Sequence, residues 1–414
     1  MLPVSSRLTY AADWLRKQLD DQNWIRSTSA AAFIGFVGAT YLVPGHAIPV
    51  AMIAVTILVA CLGGTLVENF RRYFKLWIVL ALFCAWTILG AAAGGPGYRA
   101  SDFSNLLLLG AFFLFMAQVS RVLTTRQILG IIAVAGGISA LGSLVLHIVS
   151  EPNVFDRLSP LGRGRNPIPG AGGLAIAVIA YGALLLKGAA KLRYLPLQAA
   201  LMIVLLVAVV WTQSRAPILA LGLALPLGFW ISRRGGSGAV LAACGGIWLL
   251  ITGLGLVEPV VKAVICDNEL DWCRPAFRAE IWAWVREQIA LHPLLGTGPN
   301  FRFPREWMSH PHNGLLGIAM YYGLPILVAF GALVVSYARA VSAQGDRTLR
   351  FFGIASIIFS FGYMGTDLSN PFAFFNMHYL FLWLPIFLIL SSERETVQDE
   401  EADPVRSSDQ LRQI

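Results

Sequence analysis

The stretch "HPHNGLLGIAMYYGLPILVAFGALVVSYARA", residues 310–340, decides the fold class. From Asn313 to Ala338 it carries no charged residue, and a bilayer core is crossed by about 20 apolar residues in a helix. A run of this kind reads as a membrane span. Two histidines and an asparagine stand directly before it, so imidazoles are concentrated at the mouth of the span.

The rest of the chain agrees with that reading. Of 414 residues 57% are hydrophobic and only 13% charged, more apolar surface than one soluble core uses. Twelve candidate spans are expected, near 28–43, 48–65, 75–92, 104–119, 128–149, 170–187, 195–211, 216–231, 238–256, 313–338, 351–366 and 376–390. The split around Ser214 rests on the polar break "TQSRAP". The first 27 residues place Leu8, Ala11, Leu15 and Leu19 at helical spacing among Arg7, Arg16, Lys17 and Arg26, an interfacial helix and not a cleaved signal peptide.

Orientation follows from basic residues in short loops. Arg71, Arg72, Arg121, Arg126, Lys187, Arg233, Arg234, Arg347 and Arg350 all fall on the side of the N-terminus, which is therefore the cytoplasm. The acidic tail 391–414 lies there too, and its composition suggests disorder. Five segments result: the interfacial helix 1–27, spans one to nine over 28–256, a large outside loop 257–312, spans ten to twelve over 313–390, and the tail. The net charge of +8 restates the positive-inside pattern and does not imply nucleic acid. No ionisable residue falls in the middle of a span and no repeat relates the halves, which counts against an ion-coupled carrier. Cys266 and Cys273 share the outside loop, where oxidation is permitted, and are a candidate disulfide.

Basic residues near span ends on the translocated side oppose the topological rule, and here they are almost all arginine: Arg99, Arg157, Arg163, Arg165, Arg215, Arg274, Arg278, Arg286, Arg302 and Arg305, with Lys262. Arginine grips phosphate oxygens bidentately, so a lipid pyrophosphate at the outer surface fits them. In "DRLSPLGRGRNPIPGAGG" (156–173), Arg163, Arg165 and Asn166 precede a span whose N-terminal end offers free backbone N–H groups. The bland reading is a solvated loop whose arginines pair with Glu151 and Asp156. Arg215 stands where a helix breaks and restarts, with no acidic residue nearby in sequence; its bland reading is a snorkelling arginine.

In "FRAEIWAWVREQIALHP" (277–293), Phe277, Ile281, Val285 and Ile289 form one helical stripe, with Trp282 and Trp284 as candidate interface anchors. Arg278 and Arg286 face the membrane surface together or pair with Glu280 and Glu287. At the loop's end, His310 and His312 offer bases that titrate near neutrality, and Asn313 can orient a neighbouring group. A metal site of His310, His312 and Glu306 matches no strong zinc spacing, and a purely structural His–Asn cap on the tenth span stays open.

The ordered set "DRLSPLGRGRNPIPGAGGLAIA", "TQSRAP", "FRAEIW", "HPLLGTGPNF" and "HPHNGLLGIAMYYGLPI" resembles the bacterial O-antigen ligase family, which includes polymerases and O-oligosaccharyltransferases; the resemblance runs from about 150 to 340. It implies an all-α integral membrane protein with a GT-C-type glycosyltransferase fold, in the Gram-negative inner membrane with its site facing the periplasm. The donor implied is an undecaprenyl-pyrophosphate-linked O-antigen and the acceptor a sugar hydroxyl of lipid A-core, with no nucleotide, metal or other cofactor. The resemblance places the catalytic histidine at His312 and the pyrophosphate-binding arginines at Arg215 and Arg278, and less surely at Arg163 and Arg165, with Asn166, Asn313 and His310 supporting. A polymerase, a protein O-oligosaccharyltransferase and, from another class, a lipid-linked glycan transporter remain alternatives.

Overall fold

The computed structural model describes residues 22–95, 97–151, 153, 155–164, 166–186, 195–265, 277–304 and 308–392. Most of the expected N-terminal interfacial helix, the tail beyond Ser392, Arg165, Arg274, Arg305, Glu306 and the Cys266–Cys273 pair lie outside these residues.

The described residues are helical and contain no strand. In order the helices are α1 (Gln22–Leu42), α2 (Ala47–Leu62), α3 (Leu66–Arg72), α4 (Phe74–Ala92), α5 (Ala100–Val122), α6 (Thr125–Ser150), α7 (Pro167–Leu185), α8 (Leu195–Trp211), α9 (Arg215–Arg234), α10 (Ser237–Ile265), α11 (Arg278–Leu291), α12 (Gly314–Tyr322), α13 (Leu324–Ala343) and α14 (Arg347–Met364). A final helix, α15 (Tyr379–Ser392), opens with a π turn at Tyr379–Trp383.

Six of these, α5, α6, α7, α9, α10 and α13, are long and apolar enough to cross a membrane, and the α2–α3 pair, bent by 104°, makes a seventh if it is one span. The chain is a membrane protein. Among the described residues these helices do not establish twelve spans. The run at 313–338 is two helices: α12 stops at Tyr322, Gly323 turns at φ +87°, and a Cβ on Gly323 would lie 1.7 Å from the Leu294 carbonyl oxygen. The expected spans at 75–92, 195–211 and 376–390 contain shorter apolar helices, Leu76–Ala92, Pro196–Trp211 and Tyr379–Ser392.

α14 lies at the centre. Nearly every side chain from Thr348 to Met364 is buried, as expected of a helix covered by other helices on all sides. Its start is fixed by Asp346, whose carboxylate accepts from the Thr348 and Leu349 backbone N–H groups. Small residues let neighbours approach: a Cβ on Gly228 of α9 would meet Ala355, and one on Gly362 would meet Ala220. α9 and α14 therefore run antiparallel. The Arg350 guanidinium donates to the Gly235 carbonyl at 2.7 Å at one end of this pair, and the other end carries Arg215.

α7 begins with a matching local code. Asn166 caps it by accepting from the Ile168 N–H, and Pro167 occupies the first turn. Gly172 and Gly173 then leave room for Phe381, Tyr363 and Met377, while the Tyr41 hydroxyl donates to the Gly173 carbonyl at 2.6 Å.

Candidate functional site

α11 carries two of the site's key side chains. Ile281 and Val285 of the apolar stripe are buried, which holds the helix against the bundle, while Phe277 is 45% exposed at its start. Trp282 is 2% exposed and donates from Nε1 to the Pro311 carbonyl at 2.8 Å, so it is a buried strut and not the interface anchor that its sequence suggests. One turn back, Arg278 lays its stem over Gly255, which a Cβ would fill with contacts to both Trp282 and Arg278. The Arg278 guanidinium meets the Asp367 carboxylate at 3.6 Å, with both side chains largely buried. Arg286 is exposed, so the two arginines do not share a surface.

The turn after the loop holds the histidines. The rings of His310 and His312 lie against each other with centroids 3.7 Å apart and planes tilted by 38°. The His312 backbone N–H donates to His310 Nδ1 at 3.2 Å, and His312 adopts φ +49°. Asn313 is fully buried and caps α12 by accepting from the Leu316 N–H. Its amide donates to the Thr252 hydroxyl at 3.2 Å and to the Gly365 carbonyl at 3.0 Å, which locks the turn onto α10 and the end of α14.

Electrostatics keep both imidazoles neutral. Burial pulls His312 down to about 3, and the neighbouring His310 and the Arg278 cation push the same way. His310 is also lowered by burial, with Asp367 opposing and Arg278 reinforcing the shift. The His312 Nδ1 is buried with no hydrogen-bond partner. A neutral, unsatisfied imidazole beside a cation can accept a proton when an anion arrives.

Arg215 is the first residue of α9 and is exposed. Ala220 lies opposite Gly362, so Arg215, five residues before Ala220, stands at the end of the α9–α14 pair where α14 stops at Met364. The break in front of it is pinned by the preceding loop. Arg157 donates from Nε to the Thr212 carbonyl at 3.1 Å and from Nη2 to the Ser214 hydroxyl at 3.3 Å, and the Leu158 N–H meets the Trp211 carbonyl.

Arg163 sits in a 3-10 turn at Gly162–Gly164. It donates to the Phe375 carbonyl and lies over the Phe375 ring at 6.0 Å, so the contacts it makes are with the 375 segment and not with the Arg278–Asp367 pair. Asn166 spends its side-chain oxygen on capping α7. Among the described residues no three His, Cys, Asp or Glu side chains are grouped to hold a metal ion, and Cys61, Cys84 and Cys244 are free.

A left-handed backbone recurs beside the candidate residues. Among the described residues the non-glycine positions with positive φ are Gln213, Phe277 and His312. They lie two residues before Arg215, one before Arg278 and at His312 itself. Gly162, at φ +76°, precedes Arg163. Such conformations cost energy and collect where surrounding structure holds a functional geometry.

Residues 199–331 match the family model described as O-antigen ligase. The match supports the O-antigen ligase family. The O-antigen ligase segment contains Arg215, Arg278, His310, His312 and Asn313, whereas Arg163, Asn166 and Asp367 fall outside it. No curated protein and no solved structure matches the chain. The sequence reading passed over Asp367, and it did not foresee Trp282 as a strut or Arg157 as the pin of the break before Arg215; a lone carboxylate in "MGTDLSNP" just past an apolar run was the available signal for the first.

Proposed function

We propose that the protein is an O-antigen ligase that moves a glycan from a polyprenyl pyrophosphate to a sugar hydroxyl of lipid A-core on the periplasmic face of the inner membrane. The observation that carries this reading is the grouping of Arg278, Asp367, His310 and His312. Members of the O-antigen ligase family act on lipid-linked sugars and glycans in general; the particular donor, the acceptor, the topology with both termini cytoplasmic, the GT-C-type architecture and the absence of a metal requirement belong to the proposal.

In the reaction, Arg215 and Arg278 bind the pyrophosphate. Asp367 meets Arg278 at 3.6 Å, and the planar guanidinium fork is suited to phosphate oxygens. The donor's negative charge then offsets the Arg278 cation and raises the proton affinity of His312. The acceptor O–H bond breaks with its proton passing to His312, the oxygen bonds to the anomeric carbon, and the carbon–oxygen bond to phosphate breaks. Its electron pair stays on the pyrophosphate, whose charge the arginines stabilise. The anomeric centre inverts, and His312 returns its proton to solvent. Arg163 and Arg165 are assigned to the pyrophosphate of the donor, with Asn166 capping the helix that follows; Arg163 ranks below Arg215 because its Nη2 already donates to the Phe375 carbonyl.

The test is an incubation of purified protein with lipid-linked O-antigen and lipid A-core in detergent plus EDTA, beside His312→Ala. A ladder of glycan-bearing lipopolysaccharide from the unaltered protein alone is expected. A lengthened lipid-linked donor with no modified lipid A-core assigns a polymerase instead, and an unchanged donor from a folded, donor-binding protein overturns the enzymatic reading.

A further inference from the structure

His312 occupies a backbone conformation that L-residues avoid, and its neighbours in the turn hold it there. The chain enters through His310, whose backbone is confined to the extended region by the following proline. Pro311 has a fixed φ, and its carbonyl is anchored by Trp282 Nε1. The next N–H, that of His312, turns back onto the Nδ1 of His310. A side-chain acceptor on residue i taking the N–H of residue i+2 is the geometry that Asn and Asp use to stabilise tight turns. In an imidazole only Nδ1 stands at the matching position, two bonds from Cβ. The bond also sets the tautomer, because an accepting Nδ1 carries no proton and the neutral ring keeps it on Nε2.

We propose that His310 is a positioning residue: through Nδ1 it holds the left-handed turn that aims the His312 ring, and it does so as an acceptor, not as a second base. The proposal rests on the reading of His312 as the group that takes the acceptor's proton. It goes further by giving the preceding histidine a distinct task and a distinct atom.

The atom makes the test specific. In the full chain, His310→Asn keeps an acceptor oxygen at the Nδ1 position, His310→Gln places its amide nearer the Nε2 position, and His310→Phe keeps a ring without either nitrogen. Each variant is measured for kcat, for donor KM, and for the rate at which diethyl pyrocarbonate modifies His312, followed by peptide mass spectrometry. His310→Asn is expected to keep at least half of kcat and an unchanged modification rate. His310→Gln and His310→Phe are expected to lose about tenfold or more in kcat with donor KM within about twofold, and to change the modification rate by about threefold or more. Retention by Gln with loss in Asn assigns the role to Nε2 and overturns the proposal, retention by Phe reduces His310 to a stacking partner, and retention by all three removes any role. The modification rate does not depend on turnover. If His312→Ala still transfers glycan, the base reading fails while the modification rates still decide the positioning claim.

Discussion

The indole of Trp282 donates to the Pro311 carbonyl at 2.8 Å, and this bond ties the helix that starts at Arg278 to the turn that carries His312. In the proposed reaction Arg278 and His312 work on one bond and so need a fixed separation. Here the separation runs through four residues of α11 and one hydrogen bond.

Trp282→Phe tests that link. It keeps most of the buried ring and removes the donor, leaving a buried carbonyl unsatisfied at about 1–3 kcal/mol. Transfer is expected to fall about tenfold, the rate equivalent of about 1.4 kcal/mol, with melting temperature and kcat measured on the same preparation. Unchanged kcat with lowered melting temperature makes Trp282 a packing residue only.

Asp367→Asn removes the counter-charge of Arg278. Breaking a buried pair from one side costs about 3–5 kcal/mol, and the 3.6 Å separation points to the lower end. The double variant Arg278→Gln with Asp367→Asn is expected to be less destabilised than the sum of the singles. Strict additivity in melting or denaturant titration shows that the two side chains do not couple.

Stability is expected to fall with acid through His312. Its folded value of about 3 lies below the ordinary imidazole value of 6.5, so above pH 6.5 both folded and unfolded forms are neutral and the group contributes nothing. Between about 6.5 and 3 the unfolded chain binds the proton and the folded one does not, so stability declines as pH drops. His312→Gln is expected to flatten that part of the melting-temperature profile. A mutant profile parallel to that of the unaltered protein shows that the imidazole titrates normally.

Two glycines separate close approach from mere apolarity. A Cβ at Gly317 would lie 1.8 Å from the Ser369 carbonyl oxygen, whereas one at Gly331 meets nothing within 4 Å. Gly317→Ala is expected to abolish folded, active protein. Gly331→Ala is expected to be neutral or stabilising by up to about 1 kcal/mol. Size-exclusion profile and transfer rate of each check this, and normal transfer by Gly317→Ala shows that the α12–369 contact is looser than described.

At Phe277, φ +50° favours glycine over any branched side chain. Phe277→Gly is expected to leave stability within about 1 kcal/mol, since relief of strain and added unfolded-state freedom oppose each other. Phe277→Val is expected to lose about 1–3 kcal/mol and to weaken donor binding by shifting Arg278. Equal stability of the two variants shows that the left-handed start of α11 is not retained in solution.

Several features were legible in the chain because they are local. The break at Ser214 shows as polar residues between two apolar runs, and α8 and α9 end and start around it. The Asn166–Pro167 start of α7 and the Asn313 cap of α12 follow from short-range capping chemistry. The apolar stripe of α11 was readable as well, but not which of its tryptophans is buried, because burial depends on what packs against the helix. The break at Gly323 was hidden for the same reason: Gly and Pro are common in membrane helices, and only the Leu294 carbonyl facing Gly323 shows that the run must stop there.

By itself the sequence determined that this chain enters a membrane, where α7, α9 and α12 begin, and which arginines and histidines are available for chemistry. Apolar run length, capping and charge are properties of neighbouring residues, and a one-dimensional reading contains them. Tertiary structure alone decided that Asp367 pairs with Arg278, that α9 packs antiparallel on α14, and that Arg163 turns to Phe375. Those pairings join residues far apart in the chain through helix register, and register is set by which small residues allow two backbones to close.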